Sequence, residues 1–313
     1  MNVEIKTFPE INDFWRFVVE RQKVWYKKEI EKKPYPWTKD PILRRYRFCN
    51  VYRELDKCTK YLIEKLKDIK DRKTIFLNVF TFRHFNYYGF FDDIGIIEPG
   101  FDEKKIIEIL DKVKKRKKVF NGAYVIHPIS TIVPKESPFY NRRKEKHIQM
   151  VYLTKYVDEK LDQILEDVYK SESPDDAHTL LMKIPSISDF MAYELWTDLT
   201  YFDFFKQGWN DNDFVNVGSG AVWALNLLYE KDDNKNLIKS YDWYKKRTEY
   251  LRDYMNEYLE QYGLLDEWID IYYENAYSNK PYLSIRNIEH SLCEFRKYWR
   301  IKNGVRARIR KYR

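Results

Sequence analysis

Glycine is scarce in this chain, with only 9 among 313 residues. That scarcity argues against glycine-rich phosphate loops and against all-β folds built on many tight turns. No GxxxxGK[ST] segment occurs, so these residues do not encode a P-loop nucleotide site. HExxH, GxSxG and EF-hand loop patterns are also missing. Cysteine is rare. Cys49, Cys58 and Cys293 are widely spaced, no CxxC is present, and the odd number fits a reducing compartment. A zinc site built on paired cysteines is thereby disfavoured, and no metal or other cofactor is expected. The five histidines, His84, His127, His147, His178 and His290, are scattered and read as structural or surface residues. No apolar run reaches the length of a membrane span, and Met1–Glu10 is too polar for a secretory leader. The expected setting is cytoplasmic, or the host nucleus or cytoplasm for a viral protein.

What is abundant is apolar and basic. Hydrophobic residues make up 44% of the chain and aromatics 18%, including 27 tyrosines. An AT-rich coding sequence accounts for part of the Lys, Tyr, Asn and Ile excess. Long Lys/Glu/Leu/Ile/Tyr segments at helical spacing predict a mostly α fold with few or no strands. The net charge of +8 is concentrated at one end: nine Lys/Arg and no acid follow from Arg296 onward, and the remaining residues carry a formal −1. Such an end suits a polyanion, with Arg306, Arg308 and Arg310 as candidate DNA contacts. The plainer alternative is a solubilising tail. Ile301, Val305 and Ile309 recur every four residues and predict an ordered amphipathic segment.

Helices are expected over residues 10–30, 41–67 (with Asp40 as N-cap and Pro41 at the first position), 73–90, 101–118, 144–169, 221–229, 238–262 and 284–300. Pro34 to Pro41 is a rigid break, and Ala123–Val133 reads as short and extended. Loops are expected at 92–100, 134–138, 208–220 and 232–236. Nothing resembles a linker that forces two domains. The organisation expected is one helical domain over 1–313, allowing two lobes near 1–135 and 136–295 and a basic segment at 296–313.

The most informative stretch is Ile184-Pro185-Ser186-Ile187-Ser188-Asp189-Phe190-Met191-Ala192. It has the pattern of a helix-hairpin-helix turn, which aims backbone N–H groups at a nucleic-acid phosphate. Ser186 and Ser188 stand where glycines are usual, so an ordinary helix start capped by either serine is the competing reading. Five further clusters can carry chemistry. Asn50, Arg53 and Asp56 share a stripe if 41–67 is helical, and can bind phosphate and orient a base, or form a surface charge ladder. Arg83 to Asn86 ends a buried helix, as a pocket wall or with Asn86 as C-cap. Asp198 lies one turn before Tyr201. Gly218 and Gly220 open a small-residue turn able to hold an anion. Glu289, Cys293, Glu294, Lys297 and Tyr298 follow on the last helix, where Glu294 and Lys297 can simply pair.

In this order, the motifs resemble the α-glutamyl/putrescinyl-thymine pyrophosphorylases, also described as amino acid:DNA transferases. The matching pieces are Pro36-Trp37-Thr38-x-Asp40, Phe48-x-Asn50-x-x-Arg53-x-x-Asp56, Arg83-x-Phe85-Asn86, the hairpin with Ala192-Tyr193 and Asp198-x-x-Tyr201, Gly218-x-Gly220-Ala221, and Cys293-Glu294-Phe295-x-Lys297-Tyr298 with its Arg-rich end. They span residues 14–313. The resemblance implies a helical fold related to helix-hairpin-helix DNA glycosylases. It also implies action on hypermodified thymines in DNA of phages and other viruses, where a DNA kinase phosphorylates hydroxymethyluracil and a transferase replaces the phosphate with an amino acid or polyamine amine. Helical domains of the same family are also fused to the kinases, and the missing P-loop favours the transferase.

That chemistry sets roles. Arg53 and Arg83 are candidates to support the leaving phosphate, with Asn50 and Asn86 beside them. Asp198, Asp56 and Glu294 are candidate bases for the incoming ammonium. Lys297, Tyr298 or the Gly218–Gly220 turn would hold the amino acid. Stacking aromatics would receive a base taken out of the duplex. The alternatives are a DNA glycosylase and a non-catalytic DNA-binding partner of a hydroxymethyluracil DNA kinase. Lyase-active glycosylases of this fold carry Lys where this chain has Met191, and Val215–Gly218 lacks their acid, although Asp211 and Asp213 are close by.

Overall fold

A computed structural model describes residues 8–121, 127–230, 239–274, 283–307 and 309–312. The described residues are mostly helical. The helices are α1 (Glu10–Trp25), α2 (Pro41–Arg45), α3 (Lys57–Leu66), α4 (Arg72–Phe85), α5 (Phe90–Ile94), α6 (Glu103–Lys114), α7 (Lys146–Glu159), α8 (Leu161–Tyr169), α9 (Pro174–Met182), α10 (Asp189–Thr200), α11 (Ser219–Glu230), α12 (Tyr241–Asp253), α13 (Met255–Gln261), α14 (Leu265–Ile271) and α15 (Ile285–Lys302). The described strands, β1 (Tyr46–Arg47) and β2 (Arg310–Lys311), pair antiparallel with Tyr46 opposite Lys311 and Arg47 opposite Arg310. No described helix is long and apolar enough to cross a membrane.

The chain forms two compact units, Met1–Asp56 with Asp211–Arg313, and Lys57–Asn210. Their boundaries therefore fall at 56/57 and 210/211 rather than near residue 135, and the first unit is discontinuous. In that unit α15 packs on α1, α11 and α12. Phe14, Phe17, Leu228, Ile288, Leu292 and Phe295 are buried there, and the Phe14 and Phe295 rings meet edge-on at 5.5 Å. In the second unit α4 is buried on nearly every face and packs on α7 and α10, while α9 packs on α10. Asp71 caps α4 by accepting the Thr74 N–H, and Asn86 ends it in the left-handed conformation at φ 47°.

Several expected helices divide. The 10–30 segment changes at Tyr26 into a π-helical turn ending at Ile30. Residues 73–90 resolve into α4 and the start of α5, 144–169 into α7 and α8, and 238–262 into α12 and α13. The larger correction concerns 41–67. Asp40 does cap a helix starting at Pro41, accepting from the Ile42 and Leu43 N–H groups, but that helix stops at Arg45. The reason is local competition for backbone groups. The buried Arg21 guanidinium donates from Nε to the Cys49 carbonyl at 2.9 Å and from Nη2 to the Phe48 carbonyl at 3.1 Å. Asp56 Oδ1 accepts the Asn50 N–H at 2.8 Å, and Asn50 Nδ2 donates to the Leu55 carbonyl at 2.8 Å. Groups that a helix would pair internally are thus taken by side chains. Asn50, Arg53 and Asp56 consequently lie in a loop with one 3₁₀ turn at Arg53–Leu55, not on a helical stripe.

The basic end also departs from expectation. α15 stops at Lys302, and the chain then turns and extends into β2, so Ile301, Val305 and Ile309 do not form a helical face. Val305 is exposed. Of Ala123–Val133, residues 123–126 lie outside the described residues, as do the 232–236 loop and Arg308. Within the remainder, Ser130–Ile132 forms a 3₁₀ turn rather than a strand.

Candidate functional site

In the discontinuous unit, α15 meets the 48–56 loop on one side and the start of α11 on the other. The loop is fixed by Arg21, which also donates to Asn50 Oδ1 at 2.7 Å. From α15, Asn287 Oδ1 accepts the Arg53 N–H at 2.9 Å, and Glu294 Oε2 accepts the Cys49 N–H at 3.2 Å. Glu294 Oε1 accepts from Lys297 Nζ, and the Tyr298 hydroxyl donates to Asp40 Oδ2 at 2.7 Å. Burial and Asp40 push the Tyr298 hydroxyl pKa up, which keeps it a donor.

The loop thereby faces Cys49, Asp56 and His290 toward one another, with ligand-capable atoms all within 4.8 Å. Asp56 Oδ2 lies 3.4 Å from His290 Nε2, without hydrogen-bond geometry. Burial works against the Asp56 carboxylate, yet His290, the Asn50 N–H and Arg21 outweigh it and hold its pKa below the ordinary value. Burial pushes the Cys49 thiol pKa up, reinforced by Asp56 and Glu294. Lys297 shows the reverse balance: burial opposes its charge, but Glu294 and neighbouring groups raise its pKa and keep it an ammonium.

On the α11 side, Glu289 Oε1 accepts the Gly218 N–H at 3.2 Å and the Cys293 thiol at 3.6 Å, while its Oε2 accepts from Arg286 Nη1 at 2.8 Å. The anion position expected at the Gly218–Gly220 turn is therefore filled by the protein's own Glu289. Gly220 is needed for close approach: a Cβ there would stand 2.6 Å from Cys293 Sγ and 3.3 Å from its Cα. Asp211 is buried, and its carbonyl accepts the Arg286 N–H at 3.2 Å, whereas Asp213 is exposed.

The other predicted residues sit in the second unit. Arg83 Nε donates to Asp198 Oδ2 at 2.6 Å, Nη2 donates to the same oxygen, and Glu194 lies 3.8 Å from Nη1. Arg83 is 2% exposed and Asp198 0%. The proposed phosphate clamp and the proposed base are thus each other's partners inside the unit. Asn86 is the C-cap of α4, and its backbone carbonyl accepts from Cys58 Sγ at 3.6 Å.

The 184–192 segment comprises the turn between α9 and α10, through Ser188, and the first residues of α10. Ser186 takes the left-handed conformation at φ 65°, and its hydroxyl donates to the His127 carbonyl at 2.9 Å. Ser188 is the N-cap of α10, accepting the Met191 N–H at 3.3 Å. Arg306 and Arg310 are exposed, with Arg310 in β2.

The structure thus brings Asn50, Asp56, Arg53, Glu294, Lys297, Tyr298, Gly218 and Gly220 into one unit, and places Arg83, Asn86 and Asp198 in the other. Sequence reasoning missed Arg21, Cys49, His290 and Asn287. The available signals were an arginine continuing the buried face of α1, and the Asn287, His290 and Glu294 spacing along α15.

Comparison with known proteins adds the family. The model described as "5-hmdU DNA kinase, helical domain" matches residues 9–306. A 5-hmdU DNA kinase of Bacillus phage SP10 is 28% identical over 250 residues, covering 73% of this chain and 38% of that protein. The chain spans about two fifths of the length of that relative. No solved structure matches. The match names a helical domain of DNA kinases, a broader assignment than the pyrophosphorylase group to which the motifs pointed. The chain belongs to the family of 5-hmdU DNA kinase helical domains.

Proposed function

We propose that this chain takes part in modification of hydroxymethyluracil in DNA, as a transferase that replaces the phosphate of a phosphorylated hydroxymethyluracil with an amine. The observation that carries the reading is the family match over residues 9–306, which ties nearly the whole chain to helical domains of 5-hmdU DNA kinases and so to hydroxymethyluracil in DNA. The reaction forms a C–N bond at the base methylene and breaks the C–O bond, and phosphate departs with the electron pair. The attacking amine must first lose its proton. Glu294 suits that role: it is a carboxylate beside Lys297 and the Cys49 N–H. Lys297 would neutralise the carboxylate of an incoming amino acid, and Asp56 is the second candidate base. Asp198 fits least: like Glu294 it is ion-paired, but it and its partner Arg83 are both closed off from solvent, whereas the Lys297 partner of Glu294 is partly exposed.

A second reading is a DNA-holding module without chemistry of its own, serving a kinase. It is favoured by the family description and by the 38% of the phage relative that is covered. The turn before α10, with Ser186 in the left-handed region, would hold a DNA phosphate in either case.

One experiment separates the readings. Oligonucleotides carrying phosphomethyluracil are incubated with the chain and individual amino acids or polyamines, in parallel with hydroxymethyluracil oligonucleotides and ATP. Digested nucleosides are then analysed by mass spectrometry. The transferase predicts an amine-substituted thymidine in the first series. Unchanged DNA with every amine, together with tight binding, would replace it with the holding module.

A further inference from the structure

We propose that Cys49, Asp56 and His290 form a binding site for one divalent ion of the zinc type. The three side chains offer a thiolate, a carboxylate oxygen and an imidazole nitrogen, a donor set suited to zinc. Their ligand atoms lie within 4.8 Å of one another, and the His290 Nε2 to Asp56 Oδ2 separation is 3.4 Å. Tetrahedral zinc with bonds of about 2.0–2.1 Å to nitrogen and oxygen sets those two atoms about 3.3 Å apart.

Two further observations point to a ligand. First, His290 Nε2 is buried without a hydrogen-bond partner. The nearest carboxylate oxygen, Asp56 Oδ2, lies 3.4 Å away, a loose contact for a hydrogen bond and the spacing that two ligands of one tetrahedral ion take. Second, the supporting hydrogen bonds leave the inward atoms open. Asp56 uses Oδ1 for the Asn50 N–H, which leaves Oδ2 facing His290. Asn50 is itself held by Arg21 and by the Leu55 carbonyl, and the Cys49 backbone is held by Arg21 and Glu294. Such an outer layer orients metal ligands.

The second cluster of this type provides a contrast. Asp111, Glu145 and His147 also converge, but Arg142 grips Asp111 at 2.8 and 2.6 Å, and Lys114 reaches Glu145 at 2.8 Å. Protein cations already supply the positive charge there. At Cys49, Asp56 and His290 the protein's cations, Arg21 and Lys297, act from further off, and neither makes a salt bridge to the Asp56 carboxylate among the described residues.

Metal binding displaces the Cys49 thiol proton to solvent and forms the thiolate–metal bond, with no change of oxidation state. Three protein ligands leave the fourth tetrahedral position for water or a substrate oxygen. The metal site does not require the transferase reading, and an Asp56 that ligates the ion leaves Glu294 as the candidate base of that reading.

The test uses the whole chain and cobalt(II). The purified protein is stripped with chelator, titrated with Co²⁺ and followed by absorption, with metal content measured after zinc loading and desalting. One equivalent should bind, with a thiolate-to-cobalt charge-transfer band and tetrahedral ligand-field bands. Cys49→Ser should abolish the charge-transfer band, and His290→Gln should lower affinity by tenfold or more. Cys293→Ser should retain both the band and the stoichiometry. Circular dichroism of each apo variant checks that it is folded. No band in the wild-type chain, or a band that survives Cys49→Ser in a folded protein, would overturn the site.

Discussion

At the scale of single residues, Arg21 decides the shape of the candidate site. Its guanidinium holds two carbonyls and one amide oxygen of the 48–50 segment, and it is 7% exposed. Arg21→Met should cost about 3 kcal/mol in urea unfolding, because buried carbonyls lose charge-assisted donors. Arg21→Lys should recover little, since an ammonium cannot reproduce the fork. A lysine variant as stable as wild type would show that the fork is not what holds the loop. The loop itself was not legible in the sequence. Residues 41–67 carry helical spacing, and the group that diverts them lies 27 to 29 residues earlier in α1. Local patterning cannot register a donor that arrives from another helix.

His84 offers a residue-scale prediction with a pH signature. Burial lowers its pKa to about 4, with its Nδ1 2.8 Å from the Phe80 carbonyl. The folded pKa lies below the unfolded value of about 6.5, so the unfolded chain binds more protons between the two. The stability contributed by the neutral ring is complete above pH 6.5 and is lost as pH falls toward 4. Between pH 7 and pH 5 this amounts to about 2 kcal/mol. Chemical denaturation at the two pH values should show that loss, and His84→Gln should remove most of it. An equal pH dependence in the variant would assign the loss to other groups.

At the scale of elements, helices with a clear apolar face were legible: α1, α6 and α15 appear where their spacing places them, and the short α11 from its apolar run. The buried α4 was legible from its unbroken apolar and aromatic run. The partnership of Arg83 and Asp198 was not, because two residues 115 positions apart carry no local signal that α4 and α10 pack together. This pair acts as a strut between the two helices. Asp198→Ala should destabilise the chain by about 3–5 kcal/mol, since it removes the carboxylate that the buried Arg83 guanidinium grips most closely, with Glu194 further off at 3.8 Å. Replacing both residues, Arg83→Met with Asp198→Leu, should recover most of that loss. The cycle also separates structure from chemistry. A double variant that folds well and keeps amine-transfer activity removes both residues from the reaction, whereas a folded but inactive one returns them to it. The cap of α10 is a smaller matter: Ser188→Ala should cost about 1 kcal/mol.

At the scale of the whole molecule, the feature that composition revealed most directly is the basic C-terminal end, and the structure changes what that end is. It extends as β2 and pairs with β1, so Arg310 stands opposite Arg47, and exposed Arg44 and Arg45 precede β1. Like charges directly opposed across a two-stranded ribbon repel one another. A polyanion lying along the ribbon would remove that repulsion, which gives the arrangement a physical reason under the DNA-directed reading. The division of the chain into units was hidden for a related reason: the crossings at 56/57 and 210/211 pass through ordinary polar sequence without a linker signature. Binding measurements on duplex and single-stranded oligonucleotides across a salt series test the ribbon. Each phosphate contact contributes about 0.7–0.9 to the slope of log affinity against log salt. Arg47→Gln with Arg310→Gln should therefore lower the slope by about 1.4–1.8 and weaken binding alike for all sequences. An unchanged slope would mean that the ribbon does not meet the DNA backbone. A slope reduced for only one sequence would move these arginines from backbone contact to base recognition.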